Sequence, residues 1–195
     1  MFKKEIIWRE LLFQSLEKNR HKFQQKQLAE QFGFSLSTVF NALKKLRETK
    51  ALKISGRGFE VVSPEKLLYL WATERSLGKN LVYQTFVAKS PFQIEQGMPD
   101  KIIWGLFSAY RNRFKETPSD YDKVYVYSSQ EQLMEIKKRF PVKKGPVNLF
   151  VLRSDNFLDN YGYSGTLAQM FVDIWNTNYW YSQEFLQKLK EKMNL

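Results

Sequence analysis

The fold of this chain is decided by the stretch from Gln24 to Pro64, QQKQLAEQFGFSLSTVFNALKKLRETKALKISGRGFEVVSP. It opens with a short helix predicted over residues 25–32 and ended by Gly33, because a helix end favours a residue that tolerates positive φ. The apolar residues of this helix recur at the spacing of a single helical face; they are Leu28, Ala29 and Phe32. The stretch therefore begins with a helix and a tight turn.

A second helix is predicted to start after Ser35, a favourable N-cap residue with Thr38 three positions further on, and to run to about Lys50. Its apolar positions at i, i+3, i+7 and i+10 form a stripe that we expect to pack on the first two helices; they are Leu36, Val39, Leu43 and Leu46. The opposite face is polar and cationic, with Ser37, Asn41, Lys44, Lys45 and Glu48.

Two short strands are predicted after this helix, at residues 52–54 and 59–62. The segment Ser55-Gly56-Arg57-Gly58 joins them, and we expect its glycines to let the hairpin tip approach a phosphate or a narrow minor groove, with Arg57 making the contact. Two helices followed by a basic hairpin are the layout of a winged helix-turn-helix, a module that reads DNA.

The charge of the chain favours DNA binding over the alternative, a helix-turn-helix module that only holds proteins together. Residues 1–63 contain 13 Lys and Arg residues and six Glu residues, a net charge of +7, whereas the whole chain carries +11. The basic excess is therefore concentrated where the motif lies. The predicted contacts to double-stranded DNA are Lys22, Lys26, Ser35, Ser37, Thr38, Asn41, Lys44, Lys45 and Arg57.

The composition of the chain excludes several kinds of site. It has no cysteine, which rules out disulfides and thiolate chemistry, and its one histidine, His21, cannot by itself build a metal site. No apolar run is long enough for a membrane span, and the N-terminus is predicted to enter an amphipathic helix through about Leu16. We therefore expect a cytoplasmic protein that needs no cofactor and no metal ion.

Pro64 marks the predicted boundary between a DNA-binding domain, residues 1–63, and a regulatory or partner-binding domain, residues 64–195, because Ser63-Pro64-Glu65 has the features of a helix start. Helices and short strands alternate beyond it, so the fold class is predicted to be α+β, with an α/β-like second domain. Helices are predicted at 65–77 (inner face Leu67, Leu68, Leu70 and Trp71), 98–114, 130–139, 166–176 and 181–192, and strands at 81–87, 124–127 and 147–152.

Two aspartates, Asp120 and Asp122, precede the predicted strand at 124–127 and raise the question of catalysis. Nucleotidyltransferases hold two metal ions with an Asp-x-Asp pair that follows a glycine-serine turn. Here Leu106 follows Gly105 in place of the serine, and no third carboxylate stands on the next strand. We therefore predict that the chain is not an enzyme and that the pair lies in a polar turn that tolerates substitution of both.

The C-terminal segment is rich in aromatic residues, which either stack on bases or form a core. The helical spacing favours a core, and we expect Phe171, Ile174, Trp175 and Leu186 to be buried. Asp173 and Asn176 are predicted to make hydrogen bonds at a helix end.

The chain as a whole resembles the winged-helix regulators of the AbiEi-type antitoxin family. The likeness rests on QLAEQFGFSLSTVFNALKKL, on SPEKLLYLWA after the hairpin, on KIIWGLFSAYRNRF before VYVY, and on FVDIWN with the following WYSQEFL. The resemblance implies a second domain with a nucleotidyltransferase-like fold that lacks catalysis, repression of the protein's own operon, and a partner toxin.

The leading hypothesis is a sequence-specific transcriptional regulator, in which the second domain supplies dimerisation, ligand sensing or partner binding. Two alternatives stay open. One is a nucleotidyltransferase-like enzyme with a DNA-binding arm, and the other is a DNA-binding protein of plasmid replication or maintenance.

Overall fold

Helices and two small sheets make up the computed structural model, which describes residues 1–56 and 58–195. The mixed α+β class predicted from the sequence is confirmed. The chain forms two compact units, Met1–Glu74 together with Lys190–Leu195, and Arg75–Leu189. Arg57, a predicted DNA contact, lies outside the described residues. Nowhere in the described ranges does a helix combine the length and the hydrophobicity of a transmembrane span.

The first unit contains four helices and a three-stranded antiparallel sheet among its described residues. The sheet has the order β1-β3-β2. Its edge strand β1 was not predicted. Only two residues form this strand, and it depends on the pairing of Phe23 with Phe59, which lies far away in the sequence. The elements are α1 (Lys3–Glu17), β1 (Lys22–Phe23), α2 (Gln25–Phe32), α3 (Leu36–Glu48), β2 (Leu52–Ser55), β3 (Gly58–Val61) and α4 (Pro64–Glu74).

The start of α3 has the predicted local chemistry. Gly33 adopts a left-handed conformation with φ of 62° at the end of α2, and the Ser35 hydroxyl accepts the Thr38 N–H at 3.2 Å. The prediction for Leu36 was wrong, because its side chain is 56% exposed at the first helical position. The buried stripe instead begins at Val39 and includes Ala42.

Helix α1 links α3 and α4 from the centre of the first unit. The buried indole N–H of Trp8 donates to the carbonyl of Ala42 in α3 at 2.8 Å. One carboxylate oxygen of Glu5 accepts the indole N–H of Trp71 in α4 at 3.2 Å. Arg9 is also buried, so α1 is less amphipathic than the sequence predicted.

Helix α4 belongs to the first compact unit and ends at Glu74, three residues before the predicted end. Leu67, Leu68 and Trp71 are buried as expected. The assignment of DNA binding to residues 1–63 and of regulation to residues 64–195 stays a prediction.

The second unit is built on a four-stranded sheet of order β4-β7-β6-β5, in which β6 and β7 are parallel and the other pairs are antiparallel. Two short 3-10 turns, Leu77–Asn80 and Leu158–Tyr161, accompany it. The elements are β4 (Leu81–Thr85), α5 (Pro91–Gln96), β5 (Ile103–Gly105), α6 (Leu106–Phe114), β6 (Val124–Ser128), α7 (Gln130–Arg139), β7 (Leu149–Arg153), α8 (Leu167–Trp175) and α9 (Ser182–Met193). The last residues of helix α9, from Lys190, belong to the first unit.

The single helix predicted at 98–114 is wrong. Residues Ile103–Gly105 pair with β6 as strand β5, and the positive φ of 47° at Leu106 separates this strand from helix α6. Helix α5, which Ser90 starts with a capping box, was missed because it has only six residues.

Strand β6 has a different layer on each face. Val124 and Val126 pack in one apolar cluster with residues of α5 and α7, such as Ile94 and Leu133. The alternate residues face the other way, and the ring of Tyr125 contacts Phe107 of α6. The sheet is therefore covered by helices on both faces, as its apolar strands require.

A buried ion pair anchors the start of the second unit. Arg75 donates to Asp173 at 2.8 Å, and both side chains are only 1% exposed. Arg75 also donates to Asn80 and to the Tyr127 hydroxyl, which donates in turn to Asp173. The prediction that Trp175 is buried is wrong, because its side chain is 44% exposed. Asp173, predicted to form hydrogen bonds at a helix end, forms them near the end of α8 as the buried partner of Arg75.

Asp173→Asn should lower the free energy of unfolding by roughly 3–5 kcal/mol, because it leaves the buried guanidinium of Arg75 without its counter-charge. Urea unfolding measures the change. The control is Asp120→Asn, which removes an exposed carboxylate from the same unit and should change stability by less than about 0.5 kcal/mol. Equal effects of the two substitutions would contradict a structural role for the ion pair.

Candidate nucleic-acid interface

The solvent-facing side of α3 combines polar and apolar groups. Ser37, Asn41 and Lys44 are exposed, as the sequence predicted. Leu36 and Phe40 are also exposed, at 56% and 48%, and they lie one helical turn apart on the same helix. Such a face suits a DNA groove, since Asn pairs with adenine and apolar side chains contact the thymine methyl group.

Arg47 is held against Phe40. Its guanidinium carbon lies 4.1 Å from the centre of the Phe40 ring, and its Nη2 donates to the carbonyl of Phe40 at 2.8 Å. Arg47 is not among the DNA contacts predicted from the sequence. The signal was present, because an aromatic residue and an arginine seven positions apart on a helix share a face.

Three hydroxyl groups cluster at the N-terminus of α3. The Ser35 Oγ lies 3.0 Å from the Ser37 Oγ and 2.9 Å from the Thr38 Oγ1, and it also accepts the Thr38 N–H. Ser35 therefore has a capping role that is independent of any ligand. A helix N-terminus with hydroxyl groups is a favourable place for a phosphate.

The predicted lysine contacts differ in their surroundings. Lys22 and Lys44 are exposed and have no ion-pair partner among the described residues. Lys26 lies 3.8 Å from Glu30 on the surface of α2. Lys45 forms an ion pair with Glu74, the carboxylate that also binds Lys4. Lys22 and Lys44 are therefore the cations most available to a phosphate.

The carboxylate of Glu74 is stabilised in its charged form. Burial by itself would raise the pKa of Glu74, but the hydrogen bonds and charges of Lys4 and Lys45 outweigh burial and lower it. The ion pairs fix the side chain of Lys45 toward α4, so part of its charge is neutralised within the first unit.

A groove of about 370 Å³ is lined by residues at β1, at the start of α2 and at the β2–β3 hairpin. Two cations, Arg20 and Lys22, lie along it, and Arg20 was not among the predicted contacts. Gln24 at its edge is the N-cap of α2 and makes no side-chain cap bond, so first-turn N–H groups of α2 remain available. The groove can accept a phosphate beside the hairpin. It is lined by Arg20, Lys22, Phe23, Gln24, Gln27, Ser55, Gly58 and Phe59.

Gly58 has a packing role that the sequence did not reveal. A Cβ atom at this position would lie 2.4 Å from the carbonyl oxygen of Phe23, so only glycine lets β3 pair closely with β1. Gly56 has a positive φ of 52°, as a tight hairpin tip requires. The expectation that these glycines let the hairpin approach a phosphate stays a prediction.

Asp120 and Asp122 are both exposed, but Asp122 also has two side-chain partners. Asp122 accepts a hydrogen bond from the Tyr181 hydroxyl at 2.8 Å and pairs with Lys123. These partners outweigh the effect of burial and lower the pKa of Asp122. Substitution of Asp122 would thus remove the hydrogen-bond partner of the buried Tyr181. The sequence predicted instead a polar turn in which both aspartates can be replaced. Within the described ranges, no three His, Cys, Asp or Glu side chains are grouped to hold a metal ion.

One comparison with known proteins gives a match. Residues 7–86 match the model of a family described as Firmicute plasmid replication protein (RepL). The match covers less than half of the chain and includes most of α1, all of α2 to α4 and strand β4. No curated protein and no solved structure matches the chain, and nothing in the match is specific to the AbiEi-type family.

Glu74→Gln should remove a pH-dependent part of the stability. The pKa of Glu74 is lowered from its ordinary value of 4.5, so the ion pairs stabilise the fold fully above that pH and lose their effect as the pH falls through the lowered pKa. The loss at neutral pH should be about 1 kcal/mol or less, because both lysines are about half exposed.

Chemical denaturation of both proteins at neutral pH and well below pH 4.5 measures this difference. The two stabilities should converge at the lower pH. Glu48→Gln, which removes an exposed carboxylate from α3, is the control and should show no convergence. A constant difference for Glu74→Gln at both pH values would contradict the assignment.

Proposed function

We propose that the first unit is a winged helix-turn-helix that binds double-stranded DNA, with α3 as the recognition helix and the β2–β3 hairpin as the wing. The observation that carries the proposal is the exposed face of α3. Ser37, Asn41 and Lys44 project from a helix whose other face is buried and whose start is capped by Ser35. The element order and the antiparallel sheet support the same assignment.

Each part of this surface has a distinct task in the proposed complex. Asn41 reads a base edge in the major groove, and Leu36 and Phe40 contact thymine methyl groups. Lys22, Lys44 and Arg20 neutralise phosphates, and the groove beside the hairpin receives one of them. Lys26 on α2 and Arg47 on α3 are further cations of the first unit. Lys45 contributes less to phosphate binding, because it is paired with Glu74.

The similarity over residues 7–86 to plasmid replication proteins supports a role in plasmid replication or maintenance. We therefore place this role before transcriptional regulation, which the sequence analysis ranked first. An antitoxin-like autorepressor with a partner toxin has support only from the sequence resemblance. The two roles differ in where the bound sequence lies, at a replication origin or at the promoter of the chain's own operon.

We further propose that the second unit is regulatory rather than catalytic. It supplies ligand sensing, dimerisation or partner binding, and the protein acts in the cytoplasm, where DNA is accessible. A nucleotidyltransferase-like fold for this unit rests on the sequence resemblance. The enzyme hypothesis is disfavoured because Asp122 is engaged with Tyr181 and Lys123.

Lys44→Ala should weaken binding to every DNA sequence and make it less sensitive to salt. About four to six phosphate contacts predict a slope near −4 to −5 in log K against log salt concentration, and loss of one contact should reduce its magnitude by about 1. Fluorescence anisotropy with a labelled duplex measures the slope. Lys138→Ala, which removes the same charge from α7, should leave it unchanged, and affinity that does not depend on salt would rule out the proposed interface.

Asn41→Ala should reduce discrimination between a selected duplex and random duplex DNA by roughly 1–3 kcal/mol, because the amide can pair with adenine through two hydrogen bonds. The selected duplex comes from repeated rounds of binding to a random pool. Affinity for random DNA should change little, since Asn41 carries no charge. An equal loss on both duplexes would show that Asn41 does not read bases.

A further inference from the structure

A cavity of about 920 Å³ lies within the second unit, where the parallel strands β6 and β7 end. Its wall includes the start of α7, which follows β6 directly. The carboxyl ends of parallel strands are the usual place for ligands in sheets of this kind, and the volume suits a small metabolite. Its lining includes Ser128, Gln130, Glu131, Arg153, Asp155 and Tyr163.

The start of α7 offers hydrogen-bond donors to the cavity. A capping box between Ser129 and Gln132 uses the backbone N–H groups of both residues. The N–H groups of Gln130 and Glu131 lie between them, have no acceptor within the helix, and belong to residues that line the cavity. The positive end of the α7 dipole therefore faces this space, which favours an anion.

Ser128 provides an independent indication of a ligand. It is only 3% exposed, and its hydroxyl has no hydrogen-bond partner among the described residues. Strand alternation places it on the same face of β6 as Val126, under α7 and beside Leu133, which also lines the cavity. A buried hydroxyl without a partner is unfavourable, so a ligand oxygen in the cavity would satisfy it.

The charges around the cavity define the ligand more closely. Lys101 and Arg153 are cations at its edge, and Arg153 is the register neighbour of Ser128 on β7. Glu131, Asp155 and Asp159 also line it, so acids outnumber bases and a bare anion would gain little. The ligand must therefore combine an anionic group with hydrogen-bond donors.

Asp155 is placed to accept such donors. It follows the end of β7, and its Oδ1 accepts the Phe157 N–H at 3.1 Å, which orients the carboxylate. An acidic residue after the second strand of a β-α-β unit is a common partner of sugar hydroxyls. The ring of Tyr163, 59% exposed, stands at the cavity wall and can stack on a base.

We propose that this cavity binds a phosphorylated sugar, either free or as part of a nucleotide. The phosphate lies at the start of α7 and bonds Ser128, the free N–H groups, Arg153 and Lys101. The sugar hydroxyls bond Asp155. This site is independent of the proposed DNA interface, and DNA is not needed to test it.

Isothermal titration calorimetry of the full chain tests the proposal with inorganic phosphate, ribose 5-phosphate, AMP, GMP and adenosine as probes. At least one of ribose 5-phosphate, AMP and GMP should bind about tenfold or more tightly than phosphate and adenosine, because only these probes combine the two groups. Tighter binding of AMP or GMP than of ribose 5-phosphate identifies a nucleotide site, and equal affinities identify a sugar phosphate. No binding of any probe at millimolar concentration, or phosphate binding as tightly as the rest, would overturn the proposal.

Two variants with matched controls locate the site. Ser128→Ala should weaken binding of the best probe about tenfold, since it removes a hydrogen bond to a charged group. Ser108→Ala is its control, because Ser108 in α6 is equally buried, also has an unpartnered hydroxyl, and does not line the cavity.

Arg153→Ala should weaken binding by a similar factor, whereas Lys138→Ala at the far end of α7 should not. Arg153 is exposed, so its variant tests the site even if Ser128→Ala fails to fold. The assignment would be refuted if Arg153→Ala bound the best probe with wild-type affinity while Ser128→Ala either did the same or failed to fold. DNA affinity measured in parallel separates failure here from failure of the proposed function.

Discussion

The buried hydrogen bond from the Trp8 indole to the Ala42 carbonyl is the constraint on which the proposed DNA-binding surface depends. It joins α1 to the middle of α3, while Glu5 joins the same helix to Trp71 of α4. Because α1 is held on two sides, α3 has one orientation in the first unit. The face with Asn41 and Lys44 therefore lies on a helix whose opposite side is fixed by buried contacts, as a base-reading helix requires.

Two consecutive residues, Glu74 and Arg75, form ion pairs that differ in burial. Glu74 lies in the first unit, and Arg75 begins the second. Glu74 is the last residue of α4 and binds lysines of α1 and α3, whereas Arg75 is buried against Asp173. The first arrangement is partly exposed and contributes little stability. The second is fully buried, so its loss is costly because a charge would remain without a partner.

Local chemistry explains what the sequence could predict. Gly33 and Ser35 act within a few residues, so the turn between α2 and α3 was predictable, and α7 was predicted with its observed bounds. Burial was less predictable, since Leu36 has helical spacing but lies at an exposed helix start. Contacts between distant residues were not predictable: β1 needs Phe59, the Arg75–Asp173 pair spans 98 positions, and the cavity joins the ends of β6 and β7. The roles assigned to the predicted DNA contacts stay predictions.

The most direct test of the central claim is a map of backbone amide chemical shifts for the full chain, recorded as duplex DNA is added. We expect the largest changes in residues 36–44 of α3 and along the groove that contains Arg20 and Lys22. Saturating DNA that leaves these amides unchanged, with shifts confined to residues 75–189, would contradict a DNA-binding function for the first unit.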